Sequence, residues 1–234
     1  MTLIRKAIRY AMADSKRFLI PYYAHRINSK GNDLFDVAFN SDFLGLSIAP
    51  LQVKSEIERL IGVVTNMRPR RILEIGTATG GTLFLFCKFA HPNAVIVSIY
   101  LPKGESWGGY PAWKIPLFMS FKLPDQSLRL IRADSHLKTT REALEEILGG
   151  ELLDFLFIDG DHTYEGVKRD FEMYFPLVRK GGIIAFHDIC KHPLGSDCQV
   201  EYLWERLRQS YYCKEIVENP KQGWGGIGVL HVPD

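Results

Sequence analysis

Two clusters of polar side chains follow two successive apolar runs in the second half of the chain. Asp159, Asp161 and His162 come directly after the run LLDFLFI, and His187-Asp188 comes directly after the run IIAF. Neighbouring strands of a parallel sheet end at the same edge, about 4.8 Å apart. Asp159, His187 and Asp188 are therefore predicted to converge on one divalent cation, Mg, Mn or Fe. The imidazole shifts the preference away from Mg²⁺ and towards Mn²⁺, Fe²⁺ or Zn²⁺, because nitrogen ligands favour transition metals.

Two other interpretations of these residues stay open. In the first, no metal binds, Asp188 caps the backbone that follows it, and His187 is a hydrogen-bonded structural residue. In the second, a zinc knuckle forms from His187, Cys190, His192 and Cys198, although the seven-residue gap between the two cysteines fits no common structural zinc spacing.

His162 is predicted to be a catalytic base that works beside Asp159. A neutral imidazole accepts a proton from a hydroxyl group at about pH 7, which is what general-base catalysis requires. The alternative is a structural histidine, since most single histidines are structural.

A glycine-rich turn after the apolar run Arg71–Ile75 is the clearest ligand-binding pattern. Glycines at 76 and 80 allow the backbone to approach a ligand without interference from Cβ atoms. Their spacing differs from the Gly-x-Gly-x-x-Gly of a pyrophosphate-binding turn. Glu74 would repel phosphates and attract a cationic amino-acid group. The predicted ligand contacts at this turn are Glu74, Gly76, Thr77, Gly80 and Gly81; the alternative is a tight turn that binds nothing.

Alternating strand and helix patterns must position these residues. Such alternation is typical of a parallel sheet with crossover helices on both faces. Five βα units followed by a hairpin predict a Rossmann-like, seven-stranded α/β sheet with an antiparallel C-terminal hairpin. The predicted strands are Arg71–Ile75, Ala94–Ile99, Leu128–Arg132, Leu152–Ile158, Ile183–Phe186, Tyr212–Val217 and Gly226–Val232; the predicted helices are Gln52–Asn66, Thr79–Ala90, Lys138–Leu148, Tyr164–Val178 and Val200–Ser210.

Five blocks of the sequence together resemble a known family. ILEIGTATGG, LIRADS, FLFIDGDHTYEGV, GGIIAFHDI and GWGGIGV, in this order, look like the class I S-adenosylmethionine-dependent methyltransferases grouped with cephalosporin hydroxylase-like and macrocin-type O-methyltransferases. The resemblance implies S-adenosylmethionine as cofactor and, in many relatives, a divalent cation near the transferred methyl group. It also places His162 where catechol-type relatives carry a catalytic lysine. We expect a methyltransferase domain over residues 46–234 after a helical extension over residues 1–45.

The second strand of the family carries an acidic residue that binds the ribose hydroxyls of the cofactor, and this sequence departs from that pattern. Tyr100 stands there, and one hydroxyl cannot accept two hydrogen bonds as a carboxylate does. Either Glu105 takes over this role, or the affinity is low, or activity has been lost. By the same resemblance, Asp134 and Ser135 contact the adenine, although Asp134 also suits a helix cap.

Composition limits the partners. The chain has 46% hydrophobic and 24% charged residues and a net charge of +2, which suits a globular protein without a nucleic-acid partner. Four cysteines show no disulfide framework, and no apolar run reaches the roughly 20 residues of a membrane span. We therefore expect a cytoplasmic homo-oligomer.

Residues 1–30 hold seven Lys or Arg and one acid, which predicts a basic amphipathic helix. This helix would lie either on an anionic membrane surface or packed against the domain or a second subunit.

The predicted function is transfer of a methyl group from S-adenosylmethionine to a hydroxyl of a small molecule, of sugar or natural-product type, assisted by the metal. Two alternatives remain. One is a non-catalytic or weakly active cofactor-binding homologue, an interpretation that Tyr100 favours. The other is an NAD-linked oxidoreductase, which the glycine spacing and the missing acid at position 100 disfavour.

Overall fold

The computed structural model describes residues 16–29, 31–102 and 109–234 of the chain. Its strands are β1 (Asp42–Phe43), β2 (Leu46–Ser47), β3 (Arg71–Ile75), β4 (Val95–Ile99), β5 (Ser127–Ile131), β6 (Leu153–Ile158), β7 (Val178–His187), β8 (Tyr212–Ile216) and β9 (Ile227–His231). Its α-helices are α1 (Ile20–Ile27), α2 (Leu34–Asn40), α3 (Lys54–Met67), α4 (Gly81–Phe89), α5 (Ile115–Met119), α6 (Lys138–Leu148), α7 (Tyr164–Tyr174) and α8 (Val200–Ser210).

Seven of these strands form one sheet in the order β5-β4-β3-β6-β7-β9-β8. Strands β3 to β7 pair in parallel, and β9 runs antiparallel to both of its neighbours. Two hydrophobic clusters cover the two faces, as a parallel sheet between helices requires. The predicted seven-stranded fold with an antiparallel C-terminal hairpin is confirmed.

The fifth parallel strand is longer than the sequence pattern indicates. Strand β7 begins at Val178, so the pair Gly181-Gly182 lies inside the strand and not before it. The register between β6 and β7 shifts at this point, and a Cβ atom on Gly182 would lie 2.7 Å from Val178 Cγ1. The glycine therefore allows an irregularity in the strand that hydrophobic periodicity does not show.

Two predicted helices also differ at their ends. Helix α3 begins at Lys54 and not at Gln52, which leaves Gln52 in the preceding loop. Helix α7 ends at Tyr174, where a short 3₁₀ helix, Phe175–Leu177, takes over. The proline in this segment lacks the N–H that a continuing α-helix needs.

The N-terminal segment packs onto the same core as the sheet. Ile20, Tyr23 and Ile27 of α1 belong to the hydrophobic cluster that contains Phe84 of α4. Of the predicted basic helix, residues 1–15 and 30 lie outside the described residues; residues 16–19 form a 3₁₀ helix that leads into α1. Among the described helices, none has the length and apolar character that crossing a membrane demands.

The topology creates a crevice at one edge of the sheet. Successive strands run outwards from β3 through β4 to β5, and the chain then returns to place β6 on the other side of β3. Ligands of open α/β sheets bind at such a switch point, beyond the carboxyl ends of the strands. The turn after β3 and the polar residues after β6 and β7 meet there.

Candidate active site

The turn between β3 and α4 lies directly against the polypeptide that follows β6. Asp159 N donates a hydrogen bond to Ile75 O at 2.8 Å, and Gly76 N donates one to Ile99 O at 3.0 Å. Gly76 has φ of 105°, and a Cβ atom placed on it would lie 1.9 Å from Asp159 O. Gly76 is therefore needed for the approach of its own backbone to Asp159.

The other two glycines of the turn also face protein atoms. A Cβ atom on Gly80 would lie 2.6 Å from Phe118 Cε1, and one on Gly81 would lie 2.5 Å from Ile48 O. The predicted contact residues Gly76, Thr77, Gly80 and Gly81 thus form one tightly packed turn at the predicted position. A substitution such as Gly76→Val would deform the turn itself, so it cannot report specifically on ligand binding.

Glu74 lies beneath this turn with no exposed surface. Ser98 Oγ donates a hydrogen bond to Glu74 Oε2 at 2.7 Å, and Ser98 also contacts the Thr77 hydroxyl. Glu74 Oε1 is buried and has no hydrogen-bond partner. Burial raises the pKa of Glu74 to about 7, although the hydrogen bond from Ser98 opposes the shift. Glu74 is therefore a proton-exchanging group near neutral pH and not a permanent anion.

Aromatic rings form the wall of the crevice beyond β4. Tyr100 stacks on Tyr110 with ring centroids 6.0 Å apart and an interplanar angle of 4°. The guanidinium of Arg132 lies 5.4 Å from the centroid of Tyr110 and donates to Tyr110 O at 3.0 Å. Burial raises the pKa of Tyr100, which keeps its hydroxyl protonated. Tyr100 thus belongs to an aromatic stack, and Glu105 lies outside the described residues.

Asp134 shapes the loop between β5 and α6. Its Oδ1 accepts a hydrogen bond from His136 N at 2.8 Å, and its backbone oxygen accepts one from Thr140 Oγ1 at 2.7 Å. Ser135 O accepts a hydrogen bond from Tyr174 OH at 2.7 Å. Asp134 therefore holds the loop before α6 and does not cap the helix, since the N-cap residue is Leu137 and no side chain caps it. The side chain of Asp134 is 43% exposed.

The side chains after β6 and β7 form one polar cluster. Asp159 Oδ1 lies 3.0 Å from His187 Nδ1 and 3.2 Å from His162 Nε2. Asp188 Oδ2 lies 3.3 Å from His187 Nδ1 and 3.3 Å from His162 Nδ1. Ligand atoms of Asp159, His187 and Asp188 all lie within 4.8 Å of one another. The structure brings the three predicted metal ligands together, with His162 beside them.

Charge in this cluster follows from its geometry. Burial opposes ionisation of Asp159, yet the neighbouring His187 and His162 hold the pKa of Asp159 well below its usual range. Burial likewise opposes the His187 cation, yet the Asp159 carboxylate raises the pKa of His187 to about 10. Without a metal, His187 is therefore an imidazolium between two carboxylates. A cation that took its place would displace the proton.

Asp188 is held by a contact from the C-terminal hairpin. Gly225 N donates to Asp188 Oδ1 at 2.8 Å, and Asp188 itself has φ of 63°, in the left-handed region. The hairpin loop is fixed by Glu56, a buried residue of α3, whose carboxylate accepts hydrogen bonds from Gly226 N at 2.8 Å and Glu218 N at 2.9 Å. A carboxylate on one helix thus braces the loop that orients Asp188.

Two of these residues were not found by sequence reasoning. Gln52 donates from Nε2 to Asp159 Oδ2 at 2.5 Å, across 107 residues of sequence. Glu56 has the sequence context of an ordinary helical glutamate, since α3 carries other charged residues. Neither residue stands in a motif, and only the packing of α3 and its preceding loop on the sheet brings them to the site.

Asp161 and Cys190 contact other parts of the chain and not the polar cluster. Asp161 Oδ1 accepts a hydrogen bond from Thr163 N at 2.9 Å, in the loop before α7, and Thr163 is the residue that caps the helix. The thiol of Cys190 packs against Gly226, where a Cβ atom would lie 2.6 Å from its sulfur. A four-residue zinc knuckle therefore does not form, because Cys190 faces the hairpin backbone.

Unpartnered polar atoms concentrate at this edge of the sheet. Five of the eight buried side-chain atoms without a hydrogen-bond partner among the described residues belong to Gln52, Glu74, Tyr110, Arg132 and His187. Buried polar groups are normally satisfied, and each exception calls for a ligand, an ion or water. The residues at the crevice thus fit a bound polar cofactor.

Comparison with known proteins agrees with the fold. A family model described as a methyltransferase domain matches residues 73–189, half of the chain. An uncharacterized protein of Sinorhizobium fredii is 30% identical over 174 residues, which is 72% of this chain; the chain spans 18% of that relative's length. The residues that the family model matches include the glycine turn, Asp159, His162, His187 and Asp188. The chain belongs to the methyltransferase-domain family, and the predicted class I methyltransferase is confirmed.

Solved structures share the architecture. The O-methyltransferase TomG from Streptomyces achromogenes, in complex with SAM, is 17% identical, with 91% of this chain and 95% of that chain covered and a TM-score of 0.60. An O-methyltransferase from Bacillus cereus, in complex with SAH, is 15% identical, with 90% and 96% covered and a TM-score of 0.56. At these identities the likeness establishes the fold.

Proposed function

We propose that this protein transfers a methyl group from S-adenosylmethionine to a hydroxyl oxygen of a small molecule, of sugar or natural-product type, with help from a divalent cation. The observation that carries the proposal is the contact between the glycine turn and the polar cluster. Asp159 lies against Gly76 through its backbone and against His187 through its side chain. The place for a methyl donor and the place for a cation are therefore neighbours.

The cofactor would lie over the turn that follows β3. Bound S-adenosylmethionine would supply a methyl group on a sulfonium, a reactive centre that needs little activation from the protein. Thr77, Tyr100, Asp134 and Ser135 follow the carboxyl ends of β3, β4 and β5 and would contact the cofactor. Arg132 and Tyr110 offer unpartnered buried polar atoms nearby. Glu74 takes up or gives off a proton near neutral pH, so it adjusts its charge to a cationic group above it.

The metal site would use Asp159, His187 and Asp188. His187 Nδ1 lies 3.0 Å from Asp159 Oδ1 and 3.3 Å from Asp188 Oδ2, so the three side chains are close enough to hold one cation. A bound cation would orient the acceptor oxygen and favour its ionised form.

His162 remains our candidate for the base. Its side chain is 38% exposed, which leaves the ring accessible to an acceptor at the mouth of the crevice. Burial disfavours its cation, but the Asp159 carboxylate raises the pKa of His162 above its ordinary value. A cation between the carboxylates would lower that pKa again and free the ring to accept a hydroxyl proton.

Calorimetric titration with S-adenosylmethionine and, separately, with NADH tests the cofactor assignment. We expect saturable binding of S-adenosylmethionine and none of NADH. Binding of NADH alone would favour an oxidoreductase. Binding of S-adenosylmethionine without formation of S-adenosylhomocysteine, across a panel of hydroxylated acceptors, would favour a non-catalytic homologue.

Metal analysis tests the cation independently of activity. We expect the purified protein to bind Mn²⁺ or Fe²⁺ more tightly than Mg²⁺, because of the imidazole ligand. Binding should disappear in Asp159→Asn and persist in Asp161→Asn, because the Asp161 side chain accepts a hydrogen bond from Thr163 N outside the three-ligand set. Equal metal binding in the two variants would refute the site.

His162→Gln tests the base. We expect kcat to fall by about 10²–10⁴-fold and the acid limb of the pH–rate profile to vanish, with little change in cofactor affinity. The exposed His25 supplies the control, and His25→Gln should leave the profile unchanged. Near-normal kcat with the same acid limb in His162→Gln would move the base to His187.

A further inference from the structure

A second group of metal-type ligands lies beside the proposed cation site. A ring nitrogen of His162, a carboxylate oxygen of Asp188 and the sulfur of Cys198 all lie within 4.8 Å of one another. We propose that these three side chains form a second, overlapping site for a thiophilic divalent cation such as Zn²⁺ or Co²⁺. The site shares Asp188 and His162 with the proposed active site and adds the sulfur of Cys198, but cation binding there does not depend on methyl transfer.

The ligand types distinguish this position from its neighbour. The proposed cation site of Asp159, His187 and Asp188 offers two carboxylates and one imidazole. Replacing one carboxylate by a thiol makes a softer set, and thiolate with imidazole selects Zn²⁺ or Co²⁺ over Mg²⁺. Three protein ligands with the fourth position open to water are typical of zinc sites that exchange ligands.

The loops that carry the three ligands are tied together. Gln199 N, next to Cys198, donates to His162 O at 2.7 Å, and Gln199 Oε1 accepts from Tyr164 N at 3.1 Å. Cys198 Sγ also lies 4.0 Å from the backbone oxygen of Asp188. The hydrogen bond from Gly225 N to Asp188 Oδ1 holds the third ligand. Ligands fixed by such outer contacts bind a metal with less loss of entropy.

Access to the position is open from the solvent. The His162 side chain is 38% exposed and that of Asp188 is 10% exposed, while Cys198 is partly exposed. A metal ion can therefore reach these ligands without unfolding of the chain. By contrast Cys87 is fully buried in the core and Cys190 is buried against the hairpin.

Cobalt titration of the intact protein tests the site, because Co²⁺ bound to a thiolate gives a near-ultraviolet charge-transfer band. We expect the wild-type protein to develop this band. Cys198→Ser should abolish it and weaken the binding of Co²⁺ at this position by more than about tenfold. Cys213→Ser, which removes a partly buried thiol on β8, is the matched control and should keep the band.

A further variant separates this site from the proposed function. Asp159→Asn removes a charged ligand of the neighbouring cation site, and its amide can still contact His162. The band should therefore remain in that variant, provided circular dichroism shows that the protein is folded. A wild-type protein without the band, or a Cys198→Ser protein that retains it, would overturn the proposal. Loss of the band in folded Asp159→Asn protein would also overturn it, since a single site that includes Asp159 would then account for the sulfur ligand.

Discussion

Glu74 and Asp159 are two carboxylates on neighbouring strands with opposite behaviour. Glu74 lies inside β3 with no exposed surface, and Asp159 follows β6 with a side chain that is 14% exposed. Burial raises the pKa of Glu74 to about 7, whereas two imidazoles hold the pKa of Asp159 well below its usual range despite burial. Burial alone therefore does not set the charge of a carboxylate in this site; the partners do.

Because their pKa values differ, the two carboxylates suit two different roles at the same edge of the sheet. Asp159 is a fixed anion that a cation, either a metal or an imidazolium, must balance. Glu74 is a group whose charge depends on what lies above it, since its remaining oxygen has no partner. The first suits metal binding, and the second suits a cofactor with a cationic end.

Removal of the Asp159 charge should have the largest effect on stability. Asp159→Asn leaves the His187 imidazolium short of a partner, and breaking a buried ion pair costs about 3–5 kcal/mol. Urea unfolding in the presence of chelator measures the loss. The control Asp161→Asn keeps an acceptor oxygen for Thr163 N at an exposed position and should change the free energy of unfolding by less than about 0.5 kcal/mol. Equal losses in both variants would mean that no ion pair exists.

Removal of the Glu74 charge should stabilise the protein, and the gain in the free energy of unfolding should depend on pH. The folded pKa of Glu74, about 7, lies above its ordinary value of 4.5, so folding takes up a proton between these values. Stability is therefore full below pH 4.5 and falls as the pH rises through 7. Glu74→Gln resembles the protonated form and should remove this loss, a gain of at most about 3 kcal/mol at alkaline pH.

Unfolding of the metal-free and cofactor-free protein by urea across this pH range measures the effect. The two proteins should have equal stability in acid and diverge as the pH rises. A difference that is constant across pH, or greater stability of wild type at alkaline pH, would show that Glu74 is already ionised in the folded protein.

Ser98→Ala provides a second test of how the charge of Glu74 changes with pH. Ser98 donates to Glu74 Oε2, and hydrogen bonds to charged groups contribute about 1.5–3 kcal/mol, against about 0.5–1.5 kcal/mol for neutral ones. The loss of stability should therefore be greater above neutrality than in acid. Urea unfolding at the two pH extremes measures it, and an identical loss at both would assign Ser98 a role in packing only.

Tyr100→Phe should have the smallest effect. It keeps the ring that stacks on Tyr110 and removes only the hydroxyl, so a contact with the cofactor ribose would be worth about 0.5–1.5 kcal/mol. Calorimetric titration with S-adenosylmethionine measures the change in affinity. Tyr22→Phe, at an exposed position on α1, is the control. Unchanged affinity would remove Tyr100 from the cofactor site and leave it as part of the aromatic stack.

Much of the architecture was predictable from the sequence by itself. Hydrophobic patterning placed all seven strands of the large sheet within a few residues, apart from the early start of β7 at Val178. The meeting of Asp159, His187 and Asp188 also followed from sequence, because residues just beyond adjacent parallel strands must share an edge. These inferences depend only on local periodicity and on the regular geometry of a sheet.

Only the tertiary structure decided how the site is finished. Gln52 reaches Asp159, and Glu56 braces the hairpin loop at Gly226, through contacts between segments more than a hundred residues apart. Position 76 requires a glycine because the Asp159 backbone approaches it so closely that no Cβ atom fits. The charge of Glu74 likewise depends on burial between neighbouring strands. Such contacts arise from packing between distant segments, and no local pattern in the chain encodes them.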